Sequence, residues 1–101
     1  YSAAMKRLVA ESGWPDGLLC PSDLMAYAAY RLANETGRQI PRDCRIVGID
    51  DNLFNAWIAP WLSSVAIPYR EFGPVVVEQL DACWSGAPAT ARILPHQLMR
   101  R

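Results

Sequence analysis

The sequence predicts an α/β domain of three layers, in which a largely parallel sheet is flanked by helices. Short apolar runs alternate with amphipathic helical segments, and brief turns containing Pro, Gly or Asp separate them. Hydrophobic residues make up 51% of the 101 residues, which suits a compact core. This length is that of one domain, or of one lobe of a larger protein.

Composition and charge narrow the classes of function. Basic and acidic residues balance at ten each, so there is no positive excess to hold a nucleic-acid backbone. No apolar run approaches the roughly 20 residues that span a bilayer, and we expect a cytoplasmic protein with no membrane contact. Cys20, Cys44 and Cys83 match neither a disulfide framework nor a metal site, so we expect them to be reduced and buried. His96, the only histidine, has no second ligand at metal-binding spacing, and we expect neither a metal nor a cofactor.

The chain is predicted to open with a helix and a short strand. Met5, Leu8 and Val9 share one helical face, and Gly13 is a plausible end of that helix. Residues 17–20 then form a short apolar run, which predicts a buried strand that ends at a proline.

A second helix is predicted to begin after Ser22 and Asp23. Both side chains can accept a hydrogen bond from the free amides of a first helical turn, so both are candidate helix caps. The helix should run to about Asn34 and end before Gly37. Its predicted apolar stripe consists of Leu24, Ala28 and Leu32.

Residues 45–51 form the central predicted strand and carry the first candidate site. An apolar run ends in Gly48 and is soon followed by Asp50 and Asp51, which indicates a buried strand whose carboxyl end reaches a surface. Ligands of open parallel sheets bind at such strand ends, so Asp50 is a candidate ligand-binding residue. The alternative is that Asp50 only caps a turn. Asp51 lies on the other side of the pleat, and we expect it to cap the following turn.

The last third should contain two further elements and a closing strand. Residues 62–67 are predicted to form a strand, and a helix is predicted over 69–84 before a stop at Ser85 and Gly86. Residues 92–94 and 97–99 should be strand on either side of Pro95. The apolar face of the predicted helix consists of Phe72, Val76, Leu80 and Cys83.

The order of the local motifs resembles a known family. Together they are similar to the C-terminal part of the effector-binding core of LacI/GalR-type transcriptional repressors, and the resemblance covers essentially the whole chain. The motifs are PDGLLCPSDLMA at 15–26, Gly37 followed by IPRD at 40–43, VGIDD at 47–51, PWLSSV at 60–65, Gly73 and Leu80, and LPHQLMRR at 94–101.

The resemblance implies a two-lobed fold like that of periplasmic sugar-binding proteins, with a small effector between the lobes. Residues 1–66 and 91–101 would belong to the second lobe, and residues 67–90 would pack on the first. We expect the chain to be a fragment that lacks most of the first lobe and a helix-turn-helix headpiece. Helix 69–84 would then pack on another surface or exchange with a second copy.

The resemblance also implies roles for single residues. Asp50 stands where the family commonly hydrogen-bonds its effector, and a carboxylate suits sugar hydroxyls or the N–H groups of a nucleoside-like ligand. Ser22 stands where the family usually has an Asn that also reaches the ligand; its hydroxyl is shorter, so we expect capping to be its main role. Ile67 replaces a polar group at the cleft.

A dimer interface is a further implication. The corresponding surfaces here comprise aromatic, apolar and arginine side chains of the kinds that interfaces favour. The alternative is that the tryptophans fold inward as part of the core, and for Trp61 we expect this. The expected interface residues are Tyr27, Tyr30, Arg31, Phe54, Trp57 and Ile58.

These expectations define a ligand-sensing domain of a bacterial transcription regulator, a homodimer that meets DNA only through a headpiece absent from this chain. An enzyme is not expected, because no nucleophile has a plausible base and no glycine-rich loop could cradle phosphate. The acidic pair Asp50-Asp51 is like that of phosphorylated receiver domains, but Lys6 is the only lysine and lies too early. The alternative that we keep is the C-terminal lobe of a secreted sugar-binding or solute-binding protein.

Overall fold

The computed structural model describes residues 2–101; Tyr1, where the expected second lobe begins, lies outside the described residues. Helices and strands alternate along the chain, which confirms the predicted fold class. The elements are α1 (Ser2–Ser12), β1 (Gly17–Leu19), α2 (Asp23–Glu35), β2 (Arg45–Asp50), α3 (Asn55–Ile58), β3 (Ser63–Ala66), α4 (Tyr69–Trp84) and β4 (Gln97–Met99).

The described strands form one sheet in the order β1-β2-β3-β4. Strands β1 to β3 are parallel, with Leu18 opposite Ile46 and Gly48 opposite Ser64. Strand β4 runs antiparallel to β3. The carboxyl ends of β1, β2 and β3 therefore lie at the same edge, where ligands of such sheets bind.

Helix α2 covers one face of this sheet through small side chains. Ala26, Ala29 and Ala33 are buried, as is Leu32. The predicted stripe was wrong at Leu24, which is exposed. Alanines at the contact let α2 lie close to β2, and this close approach decides which side of the helix is buried. Helix α1 packs on α2, and Met5 reaches the core.

The opposite face of the sheet carries apolar side chains that no described helix covers. By strand alternation Leu19, Val47, Ile49, Val65 and Leu98 point to this face, and Leu19 and Leu98 are exposed. The prediction that residues 17–20 form a buried strand was therefore wrong for Leu19. Within residues 2–101, the helices that pack on the sheet provide one layer, on the α2 face, so these residues form two of the three predicted layers.

Helix α4 occupies residues 69–84 as predicted, and none of its described residues is buried. It lies apart from the α2 face, and the molecule is 59 Å long. Apart from the bond between Tyr69 of its first turn and Asp50, α4 makes no extensive contact with the other described helices and strands. Packing on a second-lobe surface, one of two expectations, is therefore not seen, and exchange with a second copy stays a prediction. Cys83 is exposed, which corrects the prediction that all three cysteines are buried. Cys83 could be buried only if another surface covered α4, and the described residues do not provide one.

Two further details concern the chain end and the membrane. The predicted strand at residues 92–94 was wrong, since in the described part of the chain only Gln97–Met99 pairs with β3. None of the helices in residues 2–101 has the length and apolar composition needed to cross a membrane.

Candidate ligand-binding cleft

Asp50 is the last residue of β2 and lies opposite Ala66 of β3. Its backbone has a φ of 118°, and that of Asp51 has a φ of 49°. Residues other than glycine rarely adopt a positive φ, although Asp tolerates this left-handed region better than most residues. Each such residue costs about 1 to 3 kcal/mol unless the surrounding structure holds it. The two acidic residues therefore form a sharp turn at the edge of the sheet.

An open cleft of about 760 Å³ lies beside this turn. One wall comes from the residues that follow β2, and the other from the end of β3 and the first turn of α4. Its walls combine carboxylates, a phenol and a guanidinium with apolar side chains. The lining consists of Asp50, Asp51, Asn52, Leu53, Phe54, Ala66, Ile67, Pro68, Tyr69, Arg70 and Glu71.

Tyr69 joins the two walls of the cleft. Its hydroxyl donates a hydrogen bond of 2.8 Å to Asp50 Oδ1. This bond raises the pKa of Tyr69, because the phenolate could not donate it and would be repelled by the carboxylate. A carboxylate has about four acceptor sites, so Asp50 can accept further donors from a ligand in the cleft.

Asp51 is held by the end of the chain. Arg101 Nη1 donates a bond of 2.8 Å to Asp51 Oδ1 and one of 3.1 Å to the carbonyl oxygen of Leu62. Asp51 was predicted to cap the following turn, and this was wrong. Asn52 Oδ1 accepts from the amide of Phe54 at 2.9 Å instead. Asp51 has a partner in Arg101 because β4 returns beside β3, which the local sequence does not reveal.

Ser22 is the N-cap of α2, and its Oγ accepts a bond of 3.3 Å from the amide of Met25. Asp23 was also a candidate cap, but its carboxylate turns inward and bonds to residues beyond β2. Ser22 is not among the residues that line the cleft in residues 2–101. Its contact with a ligand stays a prediction.

Asp23 is the residue beneath the cleft whose role the sequence analysis missed. It is 1% exposed, and it accepts bonds from Ser64 Oγ at 2.6 Å, Asn55 Nδ2 at 2.8 Å and the amide of Asn52 at 2.8 Å. One signal could have revealed it, because a glycine inside a strand, here Gly48, often marks a close approach of another group.

The residues expected at a dimer interface lie in two environments. Tyr27 and Tyr30 are half-buried: Tyr27 OH donates to Asn55 Oδ1, and Tyr30 stacks on Trp61 with ring centroids 4.1 Å apart. Arg31 is exposed and pairs with Glu35. The exposed apolar residues near α3 are Phe54, Trp57 and Ile58.

Comparison with known proteins identifies the family. The periplasmic binding protein-like domain matches residues 1–101, the whole chain. The chain belongs to this family.

Relatives within the family are regulators of the LacI type, which confirms the resemblance read from the motifs. The ribose operon repressor of Haemophilus influenzae is 34% identical over 76 residues, which cover 75% of this chain and 23% of the repressor. The lac repressor dimer bound to operator and the anti-inducer ONPF has a TM-score of 0.87 at 26% identity, over 98% of this chain and 35% of that one. A LacI family regulator from Enterococcus faecium with bound ribose has a TM-score of 0.79 at 26% identity, over 99% and 39%.

This periplasmic binding protein-like chain thus spans about a quarter of the curated relatives that it matches. It corresponds to the C-terminal part of the LacI-type effector-binding core.

Proposed function

We propose that this chain is the effector-sensing part of a bacterial LacI-type transcription regulator, with a sugar or nucleoside-like effector bound against Asp50. The observation that carries the proposal is the position of Asp50. It ends the central strand, lines the cleft, and already accepts a hydrogen bond from the opposite wall. A carboxylate in this place can accept two hydroxyl or N–H donors of one ligand.

The remaining walls suit a small polar ring. Ile67, Pro68 and Phe54 give the cleft an apolar surface, against which the carbon face of a sugar or the plane of a base can pack. The ribose operon repressor and the ribose-bound neighbour support a sugar of this size. Ribose is therefore the probe that we would use first.

The test is a titration of the ¹⁵N-labelled chain with ribose, followed by NMR. We expect shift changes at residues 50–54 and 67–71 other than Pro68, with an affinity no tighter than about 1 mM, because the first lobe would supply the other contacts. Asp50→Asn should abolish these changes, since an amide accepts fewer donors than a carboxylate.

The control is Asp43→Asn, the same change at a carboxylate that is not among the cleft-lining residues and that accepts a bond of 2.8 Å from the backbone amide of Gln39. It should leave the response to ribose intact. Changes that are spread over the whole chain, or that persist in Asp50→Asn, would contradict an effector site at Asp50. Tight binding by this chain alone would contradict the division of the site between two lobes.

We also propose that the protein is a cytoplasmic homodimer, in which effector binding alters the spacing of headpieces that lie outside this chain and bind DNA. The exposed aromatic and apolar side chains near α3 support the dimer, because monomers rarely expose large apolar patches. The dimeric lac repressor, bound to its operator, supports it as well.

Light scattering over a dilution series tests the dimer. Trp57→Asp should dissociate it by placing a charge in the interface, while Trp84→Asp should not. The pair is matched, since Trp57 is 76% exposed and Trp84 is 78% exposed. Dissociation by Trp84→Asp alone would indicate association through α4 instead. A monomer at every concentration would favour the lobe of a secreted solute-binding protein.

A further inference from the structure

The turn that carries Asp50 is held from below by one buried carboxylate. The amide of Asn52 donates directly to Asp23 Oδ2 at 2.8 Å. The amide of Asp51 donates to Ser64 Oγ at 3.0 Å, and the hydroxyl of Ser64 donates in turn to Asp23 Oδ1 at 2.6 Å. The two oxygens of Asp23 thus bind, one directly and one through a hydroxyl, the two amides that follow Asp50.

Burial and close packing fix the orientation of the Asp23 side chain. It is fully buried, and so are Ser64 and Asn55, which donate to it. A Cβ at position 48 would lie 2.1 Å from Asp23 Oδ1, so the glycine of β2 makes room for this carboxylate. A buried carboxylate must be hydrogen-bonded, and here all its donors come from the segments that follow β2 or from β3.

We infer that Asp23, together with Ser64, is a positioning residue that holds Asp50 in its ligand-accepting orientation by fixing the amides of the two residues after it. The inference rests on the proposed function, because it assigns a support to the same effector site. Neither residue lines the cleft in the described part of the chain, so neither is expected to touch the effector.

The backbone of Asp50 and Asp51 gives the reason why a support is needed. Both residues have positive φ, a conformation that persists only where neighbouring groups hold it. Without the two hydrogen bonds the turn can relax toward ordinary backbone angles, and relaxation would move the Asp50 side chain away from Tyr69. The contact between Tyr69 and Asp50 therefore reports the position of the turn.

The decisive variant is Ser64→Ala, which removes the link to the amide of Asp51 and leaves Asp23 in place. NMR hydrogen exchange should show the Asp51 amide exchanging at least about tenfold faster relative to the amide of Cys20, which bonds to Val47 O in the sheet. The pKa of Tyr69, raised by its bond to Asp50, should fall toward its ordinary value of 10.0. Ser64→Thr keeps a hydroxyl and should restore both properties.

Asp23→Ala should release the amides of both Asp51 and Asn52, with Asp43→Ala as the control that removes a carboxylate elsewhere. If Asp23→Ala does not fold, the Ser64 variants decide the question alone. An unchanged exchange ratio and an unchanged Tyr69 pKa in folded Ser64→Ala would overturn the inference.

These readouts separate the inference from the proposed function, because they need no ligand. If the natural chain shows no response to ribose while Ser64→Ala still loosens the turn, a ribose site at Asp50 is refuted and the support of the turn is upheld. If the natural chain responds and Ser64→Ala keeps both the turn and the response, the support alone is refuted. If the natural chain responds to ribose, and Ser64→Ala loses both that response and the raised pKa of Tyr69, then both the effector site and the support of the turn are upheld.

Discussion

Helices α2 and α4 have amphipathic sequences of similar kind but lie in opposite environments. In α2, Ala26, Ala29 and Ala33 are buried against the sheet, and Asp23 is sealed beneath the cleft. In α4, none of the described residues is buried, although Phe72, Val76 and Leu80 form an apolar face. The difference shows that helical periodicity identifies an apolar face but does not provide the surface that covers it.

The energetic consequence is that stability is concentrated in one half of the molecule. Burial stabilises by about 25 cal/mol per Å² of apolar area, and α4 gains little of this in the described chain. Substitutions of the same kind in the two regions should therefore have very different effects.

The largest contrast is expected between two glycine substitutions. Gly48→Ala places a methyl group 2.1 Å from Asp23 Oδ1 and should cost about 3 kcal/mol or more. Gly73→Ala meets nothing within 4 Å in the interior of α4 and should stabilise by about 0.5 to 1 kcal/mol through helix propensity. Urea unfolding measures both.

The clash at position 48 also has an internal control. In Gly48→Ala combined with Asp23→Ala, the added methyl no longer meets a carboxylate, so the double variant should be more stable than the sum of the single effects implies. Additive effects would show that Gly48 is needed for another reason.

A smaller contrast is expected between two leucines. Leu62, directly before β3, is 0% exposed. Leu62→Ala should therefore lower the free energy of unfolding by about 3 kcal/mol. Leu80 in α4 is 44% exposed, and Leu80→Ala should change it by less than about 0.5 kcal/mol. A large loss in Leu80→Ala would mean that α4 is covered in solution, as exchange with a second copy would do.

The third contrast is in the reactivity of the thiols and involves no change in stability. Burial raises the pKa of Cys20 and Cys44, which lowers the fraction of reactive thiolate, while Cys83 is exposed. Alkylation near pH 8, followed by mass spectrometry of peptides, should modify Cys83 first. Protection of Cys83 equal to that of Cys20 would contradict an exposed α4.

Local signals predicted much of the fold and part of the site. The bounds of α4, the strand that ends at Asp50 and the capping of α2 by Ser22 follow from periodicity, turn residues and hydrogen-bonding groups that are close in the sequence. The roles of Asp23 and Asp51 do not, because their partners lie 29 to 50 residues away. From the sequence alone, an acidic residue at the start of a helix is expected to cap it, because the distant donors that bind it instead are not visible there.

Apart from α3 and the wrongly predicted strand at residues 92–94, the sequence by itself therefore determined the order of the elements, the strand end that bears Asp50 and the family. Only the tertiary structure decided which faces are buried, that Asp23 lies under the cleft, that Arg101 holds Asp51 and that Tyr69 meets Asp50. The physical reason is range. Helix and strand formation depend on neighbours within a few residues, whereas burial and hydrogen bonding of a carboxylate depend on which distant segments the sheet brings together.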